Sequence, residues 1–426
     1  MATERVPCRT EGCANTILPA TANANDGYCM PCVGKKRSEE RAKYIRENRR
    51  EIDLYVGVTD VVEILRILHA PRAHDPLITY LPPPKSAEEL YSGLNANQAN
   101  RLMRIAAEAM LAGNEDLAED VAKSLATLTE YPLDLMLTAW IERNYHWPAV
   151  IFRGAGTQIR DRIFAALESG AANANHALSA LAWVGDLKVQ ENFRRWEANA
   201  PSWRSGLCVG PAQYAHVAGW ELGATVRRDL FHNACWAATP AAANSVGNEA
   251  VTFMREVEEK CPWCKRKLVN LLEVDLTDNR FAFLGLSGQR LPFLTCDACT
   301  CYGTAFMYSQ VSPDGLARLT EENQQPEWLP NDLDTWERSP WKGQSIQLKR
   351  RSAIHAVDWC MPVTISQVGG LPSWVQATAF PQCPKCSETM MFIAQVDNGQ
   401  FPSHEGVYYA FLCSSCRVTA TTYQQT

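Results

Sequence analysis

The sequence predicts an α+β multidomain protein, with a small N-terminal four-cysteine unit, an all-α middle and a duplicated, mostly-β C-terminal domain. Three observations predict it. Cysteines recur in close pairs near both ends of the chain, apolar residues repeat with helical spacing between about 95 and 200, and β-branched and aromatic runs broken by Gly, Pro, Asn and Asp take over after about 230. At 426 residues the chain exceeds the roughly 250–300 at which single cores stop growing, so several domains are expected. The boundaries read as 1–52 for the cysteine unit and a basic helix, 53–94 for a proline-containing linker, 95–230 for the helical domain and 231–426 for the β domain.

Composition narrows the function classes. A hydrophobic fraction of 46% with 9% aromatic residues supplies a sizeable core and excludes a disordered chain. A net charge of −6 argues against a protein that coats nucleic acid or anionic membrane over its whole surface. The start, MATERVPCRTEGC, has no apolar leader, and no stretch approaches the roughly 18–20 apolar residues of a membrane span, so a cytoplasmic protein with no membrane partner is expected. Sixteen cysteines, mostly in CxxC pairs without a secretory leader, read as reduced thiolates that hold metal rather than as disulfides.

Residues 1–34 carry four cysteines among Thr, Asn, Gly and Pro, too few large apolar residues to fold by burial alone. KKRSEERAKYIRENRREI (35–52) follows, rich in helix formers and free of Pro and Gly, and predicts a solvated helix. Prolines cluster in PLITYLPPPKSAEEL (76–90), where Ser86 and Glu89 suggest a capping box. Leu102, Ile105, Ala106 and Met110 then share one helical face, and HALSALAWVGDLKVQENFRRW (176–196) reads as helix, Gly-Asp turn, helix. This last segment resembles a HEAT repeat, which makes the middle domain HEAT-like, with two or three such units.

The cysteines fall into three four-residue sets. Cys8-x4-Cys13 is followed after fifteen residues by Cys29-x2-Cys32; Cys261-x2-Cys264 after thirty-one by Cys296-x2-Cys299; and Cys383-x2-Cys386 after twenty-six by Cys413-x2-Cys416. Two knuckles that each aim two thiolates at one ion close a tetrahedron and leave no position for water or substrate, so three structural zinc ions are expected. Spacing leaves iron open, as it does redox or simply buried thiols. Cys301 is the alternative to Cys299, which preserves the CxxC pattern. Cys208, Cys235, Cys301 and Cys360 otherwise read as packing residues.

The last two sets belong to a repeat. CPWCKRKLVNLLEVD (261–275) aligns without a gap on CPKCSETMMFIAQVD (383–397) at a period of 122 residues, and each copy runs on into an apolar strand, FLTCDAC or FLCSSC. The segment SQVGGLPSWVQ (366–376) with the following PQCPKCSETMMFIAQVD resembles the YwqG-like family and the related programmed cell death protein 2 family. Gly369, Gly370, Pro372, Trp374, Gln376, Gln395 and Asp397 stand at the matching places, over 366–416 and more weakly over 231–365. The resemblance implies a mostly-β fold that acts by binding protein: eukaryotic relatives look like escorts of a ribosomal protein, and many bacterial relatives look like immunity proteins against secreted polymorphic toxins.

No HExxH, GxSxG or GxxxxGK[ST] motif is present, and no catalytic or cofactor-binding residues are assigned. His355 with Asp358 and His404 with Glu405 are the close acid/base pairs. The expectation is a protein that is not an enzyme, takes no small-molecule substrate and neutralises a toxin domain by direct binding. The alternatives are an RNA- or ribosome-associated assembly factor using Lys35, Lys36, Arg37, Arg41, Lys43, Arg46, Arg49 and Arg50, and an enzyme that reverses a toxin's modification. Trp374 reads as a core aromatic, with peptide binding as its sharper alternative.

Overall fold

The computed structural model describes residues 5–241, 250–302, 306–330, 342–357, 364–397 and 405–425. The chain divides into two compact units, Met1–Ser86 and Ala87–Thr426. The first opens with a minimal antiparallel pair, β1 (Val6–Pro7) and β2 (Thr16–Ile17), followed by α1 (Pro19–Ala24) and α2 (Met30–Asn48). A proline in the first turn of α2 lacks an N–H that would have had no helical partner anyway. No residue of α2 is buried, and Lys35–Glu39 at 4.0 Å and Lys43–Glu47 at 3.8 Å are i,i+4 ion pairs worth about 0.3 kcal/mol each.

Residues 53–94, which the prolines suggest as a linker, carry more structure than that. Here α3 (Val61–His69) starts where Asp60 accepts from the Val62 N–H and buries Val62, Ile64 and Leu65. Strand β3 (Arg50–Ile52) pairs in parallel with β4 (Ile78–Tyr80), just before the proline run. A nine-residue helix and three-residue strands are too short for their periodicity to stand out against the prolines.

The second unit mixes helix and strand. Its helices are α4 (Ala87–Ser92), α5 (Ala96–Leu111), α6 (Glu115–Leu128), α7 (Asp134–Glu142), α8 (Thr157–Glu168), α9 (Ala174–Val184) and α10 (Leu187–Ala198). Asn95 and Gln98 form a capping box at the start of α5, which buries Leu102, Ala106 and Met110 and leaves Ile105 half-buried. Between α9 and α10, Gly185 takes a left-handed conformation (φ 59°) and Asp186 accepts from the Val189 N–H, which turns the chain as the Gly-Asp pair predicts. The Trp220 indole, fully buried, donates to the Ala182 carbonyl at 2.8 Å and ties α9 to the hairpin of β5 (Trp220–Leu222) and β6 (Arg227–Asp229).

The strands that follow are β7 (His232–Pro240), β8 (Val251–Lys260), β9 (Lys267–Asp275), β10 (Arg290–Thr295), β11 (Met307–Val311), β12 (Ala317–Leu319), β13 (Lys342–Arg350), β14 (Gln367–Gly370), β15 (Met391–Asp397), β16 (Val407–Cys413) and β17 (Val418–Gln424). Among the described residues they form one antiparallel sheet in the order β10-β9-β8-β13-β7-β14-β15-β16-β17-β11-β12, with a five-residue helix, α11 (Asp297–Cys301), after β10. Both faces are covered. Ile393, Val396 and Tyr408 pack with Phe253, Leu272 and Phe293 on one side, while Phe392, Tyr409 and Phe411 pack with Val418 on the other. All seven residues of β16 are buried, which explains why VYYAFLC reads as an unbroken apolar run instead of an alternating one.

Strand β14 is the tightest point of the sheet. Gly369 and Gly370 both have φ 74°, and a Cβ on Gly369 would stand 1.8 Å from the Ala234 carbonyl oxygen. Gly369→Ala is therefore expected to lower the unfolding free energy by at least about 2 kcal/mol in equilibrium denaturation. Gly113→Ala, also left-handed but facing open space, serves as the comparison and is expected to cost about 1 kcal/mol.

Candidate metal centres

Each cysteine set is built by local backbone geometry before any ion is considered. Cys261–Cys264 forms a tight turn between β8 and β9: the Cys261 N–H bonds the Arg266 carbonyl at 2.8 Å, the Lys265 N–H bonds the Cys261 carbonyl at 3.1 Å, and Lys265 is left-handed at φ 62°. The repeat, 122 residues on, reproduces this turn. Cys383 N–H to Glu388 carbonyl is 2.8 Å, Ser387 N–H to Cys383 carbonyl is 2.8 Å, and Ser387 has φ 61°. The duplication seen in the letters is thus a duplication of backbone conformation, with both members of each CxxC pair on one side of the turn.

The second knuckles differ. Cys296 and Cys299 lie at the start of α11, whereas Cys413 ends β16 and Cys416 falls in the turn to β17. In the first unit Cys8 follows β1, Cys29 precedes the first residue of α2, and Cys32 lies in its first turn. The Cys29 N–H donates to the Cys8 sulfur at 3.2 Å.

The structure brings the twelve cysteines together as three tetrads: Cys8, Cys13, Cys29 and Cys32; Cys261, Cys264, Cys296 and Cys299; and Cys383, Cys386, Cys413 and Cys416. Within each, all Sγ atoms lie within 4.8 Å of one another. The sulfurs are spaced for a shared ion. A tetrahedron with metal–sulfur bonds of about 2.3 Å has sulfur–sulfur edges of about 3.8 Å, while a disulfide needs about 2.05 Å. Cys13–Cys29 is 3.8 Å, Cys13–Cys32 3.6 Å, Cys261–Cys299 3.6 Å, Cys264–Cys296 3.4 Å and Cys386–Cys413 3.7 Å. Cys299, not Cys301, completes the second tetrad; the Cys301 thiol instead lies 3.2 Å from the Tyr408 hydroxyl.

Crowding also shapes the thiol chemistry. Cys261 is pushed far below the ordinary thiol value because the thiols of Cys264, Cys296 and Cys299 hydrogen-bond to it, and Cys296 is pushed far up by the Cys261 sulfur. A group of four thiols cannot all ionise unaided, so a bound cation is what would let the remaining protons leave. Burial separates the centres. All four cysteines of the second tetrad are buried, Cys386 of the third is exposed, and Cys13 and Cys32 of the first are half-exposed.

The other candidate residues take structural places. Trp374 stacks on Tyr409 at 4.8 Å and packs against Phe380 and Phe411. Gln395, fully buried, accepts from the Ser373 N–H at 2.8 Å and donates to the Ile365 carbonyl at 2.7 Å, while the Asp397 N–H donates to Ser366 at 2.8 Å. Gln376 N–H donates to Gln424 at 2.9 Å. The GG-P-x-W segment is thereby fastened to β15 and β17. Asp358, His404 and Cys360 lie outside the described residues. His355 stands 3.6 Å from Glu88. Glu405 accepts from the Gln425 amide at 2.6 Å. Cys235 is buried beside Gln367, and Cys208 is exposed.

Sequence reasoning missed the buried Glu273, which pairs with Arg255 and Arg290 and accepts from the Asn270 amide at 3.1 Å. The repeat held the signal, because Glu273 occupies the position of Gln395.

No family model matches the chain, and no solved structure matches it. A Salmonella typhimurium (strain LT2) protein, the uncharacterized protein YpfL, is 37% identical to it over 438 residues, an alignment that spans 99% of this chain and 100% of the relative.

Elemental analysis of the purified chain is expected to give three metal ions. Cys264→Ser and Cys386→Ser should each remove one, and Cys301→Ser should leave three. A competing chelator is expected to strip the first and third centres before the fully buried second.

Proposed function

The chain belongs to the same family as the Salmonella typhimurium protein YpfL, and within that family we propose that it is a non-catalytic protein-binding protein, stabilised by three structural zinc ions, that neutralises a toxin domain by direct contact. The observation that carries this reading is the closure of the three tetrads: each presents four sulfurs to one point, and a four-coordinate zinc held that way has no position left for substrate or activated water. Zinc suits the set because an all-thiolate tetrahedron is its common structural environment, and it stabilises the fold without redox chemistry.

Two further features support it. The left-handed Gly185 and capping Asp186 between α9 and α10 support a HEAT-like reading of the helical segment, a type of surface that commonly grips protein. The likeness of residues 366–416 to the YwqG-like family supports an immunity role, and the residues that carry the likeness are ones that fasten the segment in place.

One observation favours a second reading, a nucleic-acid-associated assembly factor. Among the described residues, Arg37, Arg41 and Arg46 of the exposed α2 and Arg49 and Arg50 just after it have no ion-pair partner, so they remain available to phosphates. The readings separate by capture of the metal-loaded protein from its own cells. A single protein partner at one-to-one stoichiometry, still retained after joint charge reversal of Arg46, Arg49 and Arg50, is the expected result. Ribosomal proteins or RNA that are lost on that reversal, or turnover of a modified substrate by catalytic amounts of the chain, would overturn it.

A further inference from the structure

The two repeated knuckles share a turn but differ in cover. Cys264 and Cys386 occupy equivalent places, each the second cysteine of its CxxC pair. Cys264 is 8% exposed and lies in a cluster with Leu268, Leu294 and Met307, against which Trp263 and Tyr302 pack. Cys386 belongs to no such cluster among the described residues. It is exposed, as are Lys385, Ser387 and Glu388 beside it and Ser414 and Ser415 between Cys413 and Cys416. One backbone design therefore yields a sealed set of four sulfurs in one half and, in the other, a set with one sulfur open to solvent.

The exposed sulfur also has a partner within reach. Cys413 Sγ lies 3.7 Å from it, buried at the end of β16. Thiolate oxidation is governed by access and by a second thiol close enough to complete a disulfide. Near neighbours exist in all three centres, so access decides which reacts first. The first centre is intermediate, with Cys13 and Cys32 half-exposed, and the second is closed.

We propose that the third centre is a peroxide-responsive site, in which Cys386 is oxidised, Cys413 resolves it as a disulfide, and the ion held by that tetrad is released. The Cys386 thiolate attacks one oxygen of hydrogen peroxide, so that an S–O bond forms as the O–O bond breaks and hydroxide leaves. The Cys413 thiolate then attacks the Cys386 sulfur; an S–S bond forms, the S–O bond breaks and a second hydroxide leaves. The two thiolates give up two electrons, the peroxide takes them, and two protons from solvent convert the hydroxides to water. With two of its four sulfurs joined, the tetrad no longer closes a tetrahedron.

The change stays local. Apart from its sulfurs, the knuckle is held by the Gln382–Thr389 bridge and by hydrogen bonds from the Cys383 N–H to the Glu388 carbonyl and from the Met390 N–H to the Pro381 carbonyl, each at 2.8 Å. Cys383 and Cys413 belong to the apolar cluster of Phe392, Tyr409 and Phe411, so opening the tetrad loosens one wall of that cluster, while the second tetrad stays closed in the other half of the sheet. The site rests on the three zinc ions proposed above and is independent of the toxin-binding reading.

Treatment of the full, zinc-loaded chain with hydrogen peroxide tests it, with released zinc followed by a chromophoric chelator and disulfides mapped by peptide mass spectrometry. The expected result is an early phase that releases one of the three ions at least about tenfold faster than the others, together with a Cys386–Cys413 link, and recovery of the third ion on addition of dithiothreitol and zinc. Cys386→His, which keeps four ligands but replaces the exposed sulfur with a ring nitrogen, should bind three ions and lose the early phase. Fewer than three zinc ions before any oxidant would mark failure of the zinc reading and remove this site with it. With three ions present at the start, no release, release at one rate from all three centres, earlier release from either of the other two, or a disulfide that omits Cys386 would overturn the peroxide-responsive site alone.

Discussion

Four thiolates held within 4.8 Å of one another repel unless a cation stands among them, and much of this fold is arranged around that condition. In the first unit, whose α3 buries Val62, Ile64 and Leu65, the N-terminal segment has a cysteine tetrad in place of a hydrophobic core. The cluster there consists of Cys8, Ile17 and Cys29, with half-buried Val6, Ala22, Cys13 and Cys32 around it, far too little apolar area to order the segment by itself. In the second unit the centres join segments that are distant in sequence. Cys261 and Cys264 close the β8–β9 turn, Cys296 and Cys299 bring in the helix after β10, and Leu268, Leu294 and Met307 pack around the four sulfurs.

The two repeated halves share a knuckle but not its surroundings. At one position of the repeat, Gln395 holds Ser373 and Ile365 and so anchors the glycine-rich segment against the sheet. At the equivalent position Glu273 is a buried carboxylate held by Arg255, Arg290 and Asn270. Removing a partner from such a carboxylate costs far more than an exposed ion pair is worth, so this half depends on charge pairing where the other depends on neutral hydrogen bonds. The divergence leaves each half with its own set of loop contacts, on one shared backbone design.

Much of this was legible in the letters, because metal knuckles are local. The CxxC spacing, the 122-residue period and the preference of Cys299 over Cys301 all depend on a few adjacent residues, and the tetrads contain the same twelve cysteines. The Gly185–Asp186 turn was legible for the same reason. What was not legible depends on distant pairing. Spacing offered His355 only Asp358, which lies outside the described residues, and could not show that Glu88, 267 positions earlier in the chain, stands beside it. Nor does periodicity reveal that β16 is covered on both faces, that an eleven-stranded order interleaves the two halves, or that residues 53–94 hold two helices and a strand among their prolines.

The central claim is that closed, all-sulfur zinc centres hold the fold. X-ray absorption at the zinc edge of the purified chain tests it most directly. The account predicts about four sulfur neighbours per zinc at about 2.3 Å, with no oxygen or nitrogen in the shell. A shell of mixed sulfur and oxygen, or an absorption edge from iron in place of zinc, would contradict it.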